Sequence, residues 1–195
     1  MGKSKKILIL RLSAIGDTIH TLPMVAAIKK TYPDAQIGWV VEDKAQLFVK
    51  GNPLVDKCYV IPRKLWKSRF APMQDFKDLK ALVSEINAEK YDMVFDTQQL
   101  FKSAMFLPFL NIKRKITLTG GREFSWIFSN EFIKASHKLF SKNYHVVMRN
   151  LEFAKHIGAQ AESIDFVLKN PSDEIKRKVA NLLHGIDATK PTVVL

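Results

Sequence analysis

The 195 residues carry 31 Lys and Arg against 19 Asp and Glu, a formal charge of +12, and 47% of them are hydrophobic. That apolar share excludes a disordered chain, and the length allows one large domain, or one domain and a fragment of a second. The charge favours an anionic partner (nucleic acid, acidic lipid or a phosphorylated substrate), with a solvated basic surface as the plain alternative. Cys58, the one cysteine, excludes an internal disulfide and a cysteine zinc site, fits a reducing cytoplasm, and reads as a small buried hydrophobe in a strand. Met1 to Lys6 begins like a charged signal peptide, but Arg11 interrupts the apolar run that follows. Lys6 breaks the myristoylation pattern, and no apolar stretch reaches membrane-span length. The chain is expected to be cytoplasmic, with any membrane contact peripheral.

Ile7 to Leu10 is a continuous apolar run, the mark of a strand buried on both faces. A helix follows, starting between Gly16 and Pro23 and ending near Tyr32-Pro33-Asp34. Gln36 to Val41 reads as a second strand, Asp43 to Lys50 as a short helix, and Val55 to Ile61 as a third strand. Asp75 to Glu89 is an amphipathic helix with Phe76, Leu79, Leu82, Val83 and Ile86 on one face. Tyr91 to Asp96 is a buried strand, a short apolar helix runs to about Leu110, and Lys113 to Leu118 is the next strand. Phe124 to Lys142 resists assignment. Tyr144 to His156 is a helix closed by Gly158, Ile164 to Leu168 a short strand, and Ser172 to His184 a helix opened by Ser-Asp-Glu. Lys190 to Leu195 begins a further buried strand with nothing after it to pair with, which reads as the first half of a longer protein. The spacing is that of β-α-β units in an α/β fold, with a mainly parallel sheet flanked by helices.

Ligands of such sheets bind outside the carboxyl ends of the strands. The Ile15-Gly16-Asp17 loop stands there, after the first strand. Gly16 permits a positive φ or close approach to a ligand. Asp17 reads either as a helix N-cap or as a general base aimed into a cleft. His20 follows three residues later as an ordinary hydrogen-bonded histidine. Cations also gather at strand ends: Arg11, then Arg63, Lys64 and Lys67, then Lys102, then Arg122 after Gly120-Gly121. On one edge they would recognise carboxylates or phosphates, and the Gly-Gly turn could form an anion nest. The run Arg63 to Phe70 interleaves cations with aromatics, yet no nucleic-acid-binding module is recognisable. There is no Gly-x-Gly-x-x-Gly, Walker A, metal-ligand spacing or arguable Ser-His-Asp set.

Several blocks resemble the lipopolysaccharide heptosyltransferases. Leu12-Ser13-Ala14-Ile15-Gly16-Asp17-Thr18-Ile19-His20-Thr21-Leu22-Pro23 looks like that family's N-terminal signature. Trp39-Val40-Val41-Glu42, Arg63-Lys64-Leu65-Trp66-Lys67, Gly121-Arg122-Glu123 and His145-x-x-x-Arg149-Asn150 follow in order. Asp96-Thr97-Gln98-Gln99-Leu100-Phe101-Lys102-Ser103-Ala104 is similar to a block that has Gly where this chain has Gln99. The likeness is nearest the heptosyltransferase I branch of glycosyltransferase family 9. It implies the Rossmann-like N-terminal domain of a GT-B enzyme over 1–170, with 171–195 opening a truncated second domain.

It further implies inverting transfer of L-glycero-D-manno-heptose from ADP-heptose to a Kdo hydroxyl of Kdo-lipid A, at the cytoplasmic face of the inner membrane. Asp17 would be the base, and Ser13, Gly16, Arg63, Lys64, Lys67, Gln98, Lys102, Arg122, His145 and Arg149 would bind the acceptor. The donor would lie mainly on the absent half, so this chain alone is expected to transfer nothing; no cofactor, metal or nucleic acid is expected. A GT-B enzyme with a different anionic acceptor, or a non-catalytic basic module binding anionic lipid or nucleic acid, are the alternatives.

Overall fold

Ile7, Leu8, Ile9 and Leu10 are all fully buried, as a strand covered on both faces must be. A computed structural model describes residues 4–62, 73–120, 123–134 and 144–184, and the side chains at 73–76 lie outside that description. The strands are β1 (Lys6–Leu10), β2 (Gln36–Glu42), β3 (Lys57–Ile61), β4 (Met93–Asp96), β5 (Arg114–Leu118) and β6 (Glu131–Ile133). The helices are α1 (Ile15–Ile19), α2 (Leu22–Thr31), α3 (Met73–Ala88), α4 (Phe101–Ala104), α5 (Val146–His156) and α6 (Asp173–Leu182). Short 3-10 turns stand at Gln46–Phe48, Leu107–Phe109 and Ser125–Phe128.

All strand pairs are parallel, and the order is β3-β2-β1-β4-β5-β6. This is the Rossmann-like order, and it reverses between β1 and β4, where open α/β sheets place their ligands. Alternate residues of β1 separate two cores. Ile7 and Ile9 join Val25 and Ile28 of α2 and Leu151 and Phe153 of α5. Leu8 and Leu10 join Ile86 of α3 and Leu107.

Four expectations are corrected. The helix after β1 is two helices, broken at His20-Thr21, with Pro23 in the first turn of α2, where its missing N–H is harmless. Asp43 to Lys50 keeps only a 3-10 turn. Residues 164–168 form no strand: Ile164, Phe166 and Leu168 stay about half exposed, and the segment is tied down where Asn52 Nδ2 donates to the Val167 carbonyl at 2.9 Å. Conversely, β6 lies inside the unassigned stretch, held by an ion pair at 2.7 Å between Glu131 and Arg114 of β5. Cys58 lies on β3, half-buried rather than buried. The expected final strand falls outside the described residues.

Gly38 of β2 sits where a side chain has no room. A Cβ there would lie 2.5 Å from Cζ of Tyr91, a ring pinned by a 3.0 Å hydrogen bond between its hydroxyl and that of Tyr59. Gly38→Ala is expected to cost about 1–3 kcal/mol, the range for overpacking a close-packed core. The check is a lower urea midpoint at unchanged m value; an unchanged midpoint would mean that the Tyr91 ring does not fill this space.

Candidate functional site

The chain leaves β1 at Leu10 still buried, and its peptide groups are satisfied one by one. Trp39 Nε1 donates to the Arg11 carbonyl at 3.2 Å, and Glu42 N donates to the Leu12 carbonyl at 2.9 Å. Gln98, in the loop after β4, accepts from Leu12 N and Ser13 N, each at 3.1 Å. Its side chain thus straps together the two loops that flank the switch point, at the place where an acceptor ligand was expected.

This strapped loop delivers α1. Its N-cap is Ala14, with no side-chain cap bond, so the N-cap reading of Asp17 is corrected. Asp17 lies in the first turn, half-exposed, and its carboxylate accepts no hydrogen bond from a described residue. Gly16 is exposed and helical, and a Cβ built on it would meet nothing within 4 Å. The chain therefore places a residue that weakens a helix where a side chain would have room.

Charges surround this point at different depths. Arg11, expected among the surface cations, is 3% exposed. Its Nε donates to Thr21 Oγ1 at 3.4 Å. Burial presses its proton affinity down, the charges of Asp17 and Asp96 press it back up, and Arg149 adds a like-charge push downward. Arg149, on α5, is thereby brought to the same locality as Asp17. Lys102 Nζ donates to Ser13 Oγ at 2.7 Å and to buried Glu42 at 2.8 Å. Lys102 and Ser13, both expected to bind the acceptor, thus brace the loop through Glu42.

His145 caps α5, its Nδ1 accepting from Val147 N, and its ring stands edge-on to that of His20, centroids 5.3 Å apart. Asn150 Nδ2 joins α5 to the end of α1 by donating to the His20 carbonyl and to Thr21 Oγ1, at 3.0 and 3.1 Å. Asp17, Gly16, Ser13, Gln98, Lys102, His145 and Arg149 are thus gathered around one switch point. Arg63, Lys64, Lys67 and Arg122 lie outside the described residues. Among the described residues, no group of three His, Cys, Asp or Glu could hold a metal ion, and no helix is long and apolar enough to cross a membrane.

Sequence reasoning assigned no role to Glu42 or Asp96, although each is an acid at a strand's carboxyl end. Asp96 is fully buried. Its Oδ1 accepts from Ser103 Oγ at 2.8 Å and Gln99 N at 3.1 Å, while Oδ2 has no hydrogen-bond partner among the described residues. Burial pushes this carboxyl up to about 6, against those two bonds and the nearby Arg11 charge.

The sequence profile of glycosyltransferase family 9 (heptosyltransferase) matches residues 79–195. Lipopolysaccharide heptosyltransferase 1 of Escherichia coli K12 is 28% identical over 156 residues, 78% of this chain and 48% of the relative. The protein of the same name from Campylobacter coli is 38% identical over 102 residues, covering 51% and 27%. The solved Escherichia coli heptosyltransferase WaaC with ADP-2-deoxy-2-fluoro heptose superposes with a TM-score of 0.67 at 27% identity, over 83% of this chain and 51% of that one. The chain spans about half the length of the relatives whose matches run along most of it.

The sign of the Asp96 effect follows from its proton affinity. Its folded value of about 6 lies above the ordinary 3.8, so the folded state binds the proton more tightly than the unfolded chain. The stability this confers is whole below pH 3.8 and is lost as the pH rises through 6. Asp96→Asn has no such proton. The unfolding free energy of the native chain minus that of Asp96→Asn is expected to fall by about 1–3 kcal/mol across this window and to level off above it. Urea titrations at stepped pH measure it, and a flat difference would contradict a buried, half-satisfied carboxyl.

Proposed function

The chain belongs to glycosyltransferase family 9, the heptosyltransferases, and we propose that it supplies the acceptor-binding half of a GT-B enzyme that adds heptose to the lipopolysaccharide core. The observation that carries this reading is the Asp17 carboxylate. It accepts no hydrogen bond from a described residue, is flanked by the open space at Gly16, and is set at the switch point of a parallel sheet. The names of the relatives, lipopolysaccharide heptosyltransferase 1 among them, supply the substrate class.

In this reading Asp17 takes the proton of an acceptor hydroxyl as that oxygen attacks the anomeric carbon of ADP-heptose. The bond from that carbon to the diphosphate breaks, ADP leaves, and the configuration inverts. Kdo of Kdo-lipid A offers the hydroxyl. Its carboxylate and the lipid phosphates meet Arg149 and His145, with Arg63, Lys64, Lys67 and Arg122 as the further candidates from the sequence. The donor is held chiefly by a second half. Arg11, Gln98, Lys102 and Glu42 keep the Asp17 loop in place and do not touch substrate. The site then lies at the cytoplasmic face of the inner membrane, where such an acceptor is presented.

Binding and transfer test this separately. The 195-residue chain is expected to bind Kdo-lipid A in titration calorimetry, to ignore a Kdo-free lipid A, and to release no ADP from ADP-heptose by itself. Turnover by this chain alone, or equal binding of both lipids, would overturn the assignment. In an active protein carrying this half together with a donor-binding half, Asp17→Asn is expected to lower kcat by about 10²–10⁴-fold, the contribution of a positioned base. Gly16→Ala is expected to hold or raise stability by up to about 1 kcal/mol while raising KM for the acceptor.

A further inference from the structure

The break between α1 and α2 is held by side chains. A helix running on through it would have Thr21 N donate to the Asp17 carbonyl four residues back. Instead Thr21 N donates to the Thr18 carbonyl at 3.1 Å, and it is the Thr21 hydroxyl that donates to the Asp17 carbonyl, at 2.8 Å. The same oxygen accepts from Asn150 Nδ2 at 3.1 Å and from Arg11 Nε at 3.4 Å. A hydroxyl has one proton to give and two lone pairs, so Thr21 is saturated. The donor side of Asn150 is saturated too, since its second N–H goes to the His20 carbonyl at 3.0 Å. Thr21 is fully buried, and Asn150 and Arg11 nearly so.

We propose that Thr21 and Asn150 are positioning residues for Asp17, a role that rests on the reading of Asp17 as the base given above. A five-residue helix without a side-chain cap is too short to hold its own geometry, so the aim of Asp17 is set by what ties its backbone. The Gln98 strap fixes the entry to α1, and the Thr21 hydroxyl fixes the exit, with the carbonyl of Asp17 itself as one of the tied groups. Three segments meet at that hydroxyl: the end of β1 through Arg11, the helix break through Thr21 and α5 through Asn150. The helix that supplies Asn150 also carries Arg149 and is capped by His145, so the hub sets the base and the proposed acceptor contacts in one register. Both side chains are buried, so they act through Asp17 and not on substrate.

In the 195-residue chain, amide hydrogen exchange reads the exit of α1, where His20 N donates to the Gly16 carbonyl. Thr21→Val is expected to speed exchange at the His20 amide about tenfold and to leave the Ile9 amide of β1 unchanged. Thr21→Ser, which keeps the hydroxyl, is expected to exchange as the native chain does. In an active protein carrying this half together with a donor-binding half, Thr21→Val is expected to lower kcat about 10–10²-fold, the effect of a displaced catalytic group, with KM for the acceptor unchanged. Thr21→Ser is expected to restore kcat. Asn150→Ala, which spares the bond from Thr21 to Asp17, is expected to lower kcat about 3–10-fold and carries the test should Thr21→Val not fold. In an Asp17→Asn background neither substitution is expected to lower kcat further, because a residue that acts through the base loses its effect when the base is gone.

Native exchange at His20 in Thr21→Val would overturn the positioning role, as would an undiminished kcat in both variants. An equal loss of kcat with and without the Asp17 carboxylate would overturn it too, leaving the hub a structural tie and the base reading intact. An Asp17→Asn protein with native kcat would instead overturn the base reading, and the positioning role with it, whatever the exchange at His20.

Discussion

A strand that ends inside a protein leaves buried peptide groups without a ladder, and each must find another partner. At the end of β1 this constraint organises the whole carboxyl edge of the sheet. The peptide groups of Arg11, Leu12 and Ser13 are met by the Trp39 indole, the Glu42 amide and the Gln98 carboxamide. Those partners come from β2 and from the loop after β4, the neighbours of β1 on either side. The loop that carries Gly16 and Asp17 is therefore fixed by both neighbouring strands. A residue-long slip in either would withdraw a donor or an acceptor from a buried group, at about 1–3 kcal/mol each.

The same edge buries charge, which is tolerable only with compensation. Glu42 and Lys102 compensate one another directly and reach Ser13 in the same network. Arg11 and Asp96 make no such contact. Each senses the other through space, and each keeps part of its desolvation cost. Arg11 recovers some of it from Asp17, so the half-exposed carboxylate and the buried guanidinium are electrostatically linked. Removing the Asp17 charge thus affects the interior as well as the chemistry, and an isosteric amide, which keeps the shape but not the charge, carries both effects.

The fold was legible where local pattern and tertiary role coincide. Ile7 to Leu10 is an apolar run, Tyr91 to Asp96 holds a shorter one, Lys113 to Leu118 ends on Ile116 and Leu118 after three cations, and all three contain sheet strands. β6 was hidden because three residues, Glu131–Ile133, carry no period, and their pairing depends on Arg114 seventeen positions away. Ile164 to Leu168 has the alternation of a strand but finds no ladder in the structure. In the site, the position of Asp17 was legible from the strand-loop-helix order alone. The strap made by Gln98 was not legible, because its partners are more than eighty residues distant and nothing in its neighbourhood marks an inward turn. Gln99 carries a different lesson. It adopts φ +56, the left-handed region that favours glycine, at the place where the resembling block has Gly. The loop takes a backbone shape that suits glycine without having the glycine.

Local rules are broken together at this edge. α1 has five residues, no side-chain cap and a glycine in its first turn. Gln99 is left-handed, and Asp96 Oδ2 and Gln99 Nε2 are buried without hydrogen-bond partners among the described residues. Each departure disfavours folding, and a sequence selected for stability alone would cap α1 and fill Gly16. Left-handed Lys90 and the unpartnered Ser129 Oγ stand at the amino ends of β4 and β6, so the carboxyl edge has no monopoly on such departures, but at the β1–β4 switch point several meet within the two loops that Gln98 ties together. Such clustering is expected where the geometry serves a ligand and the supporting contacts of Trp39, Glu42 and Lys102 hold the strained loops in place.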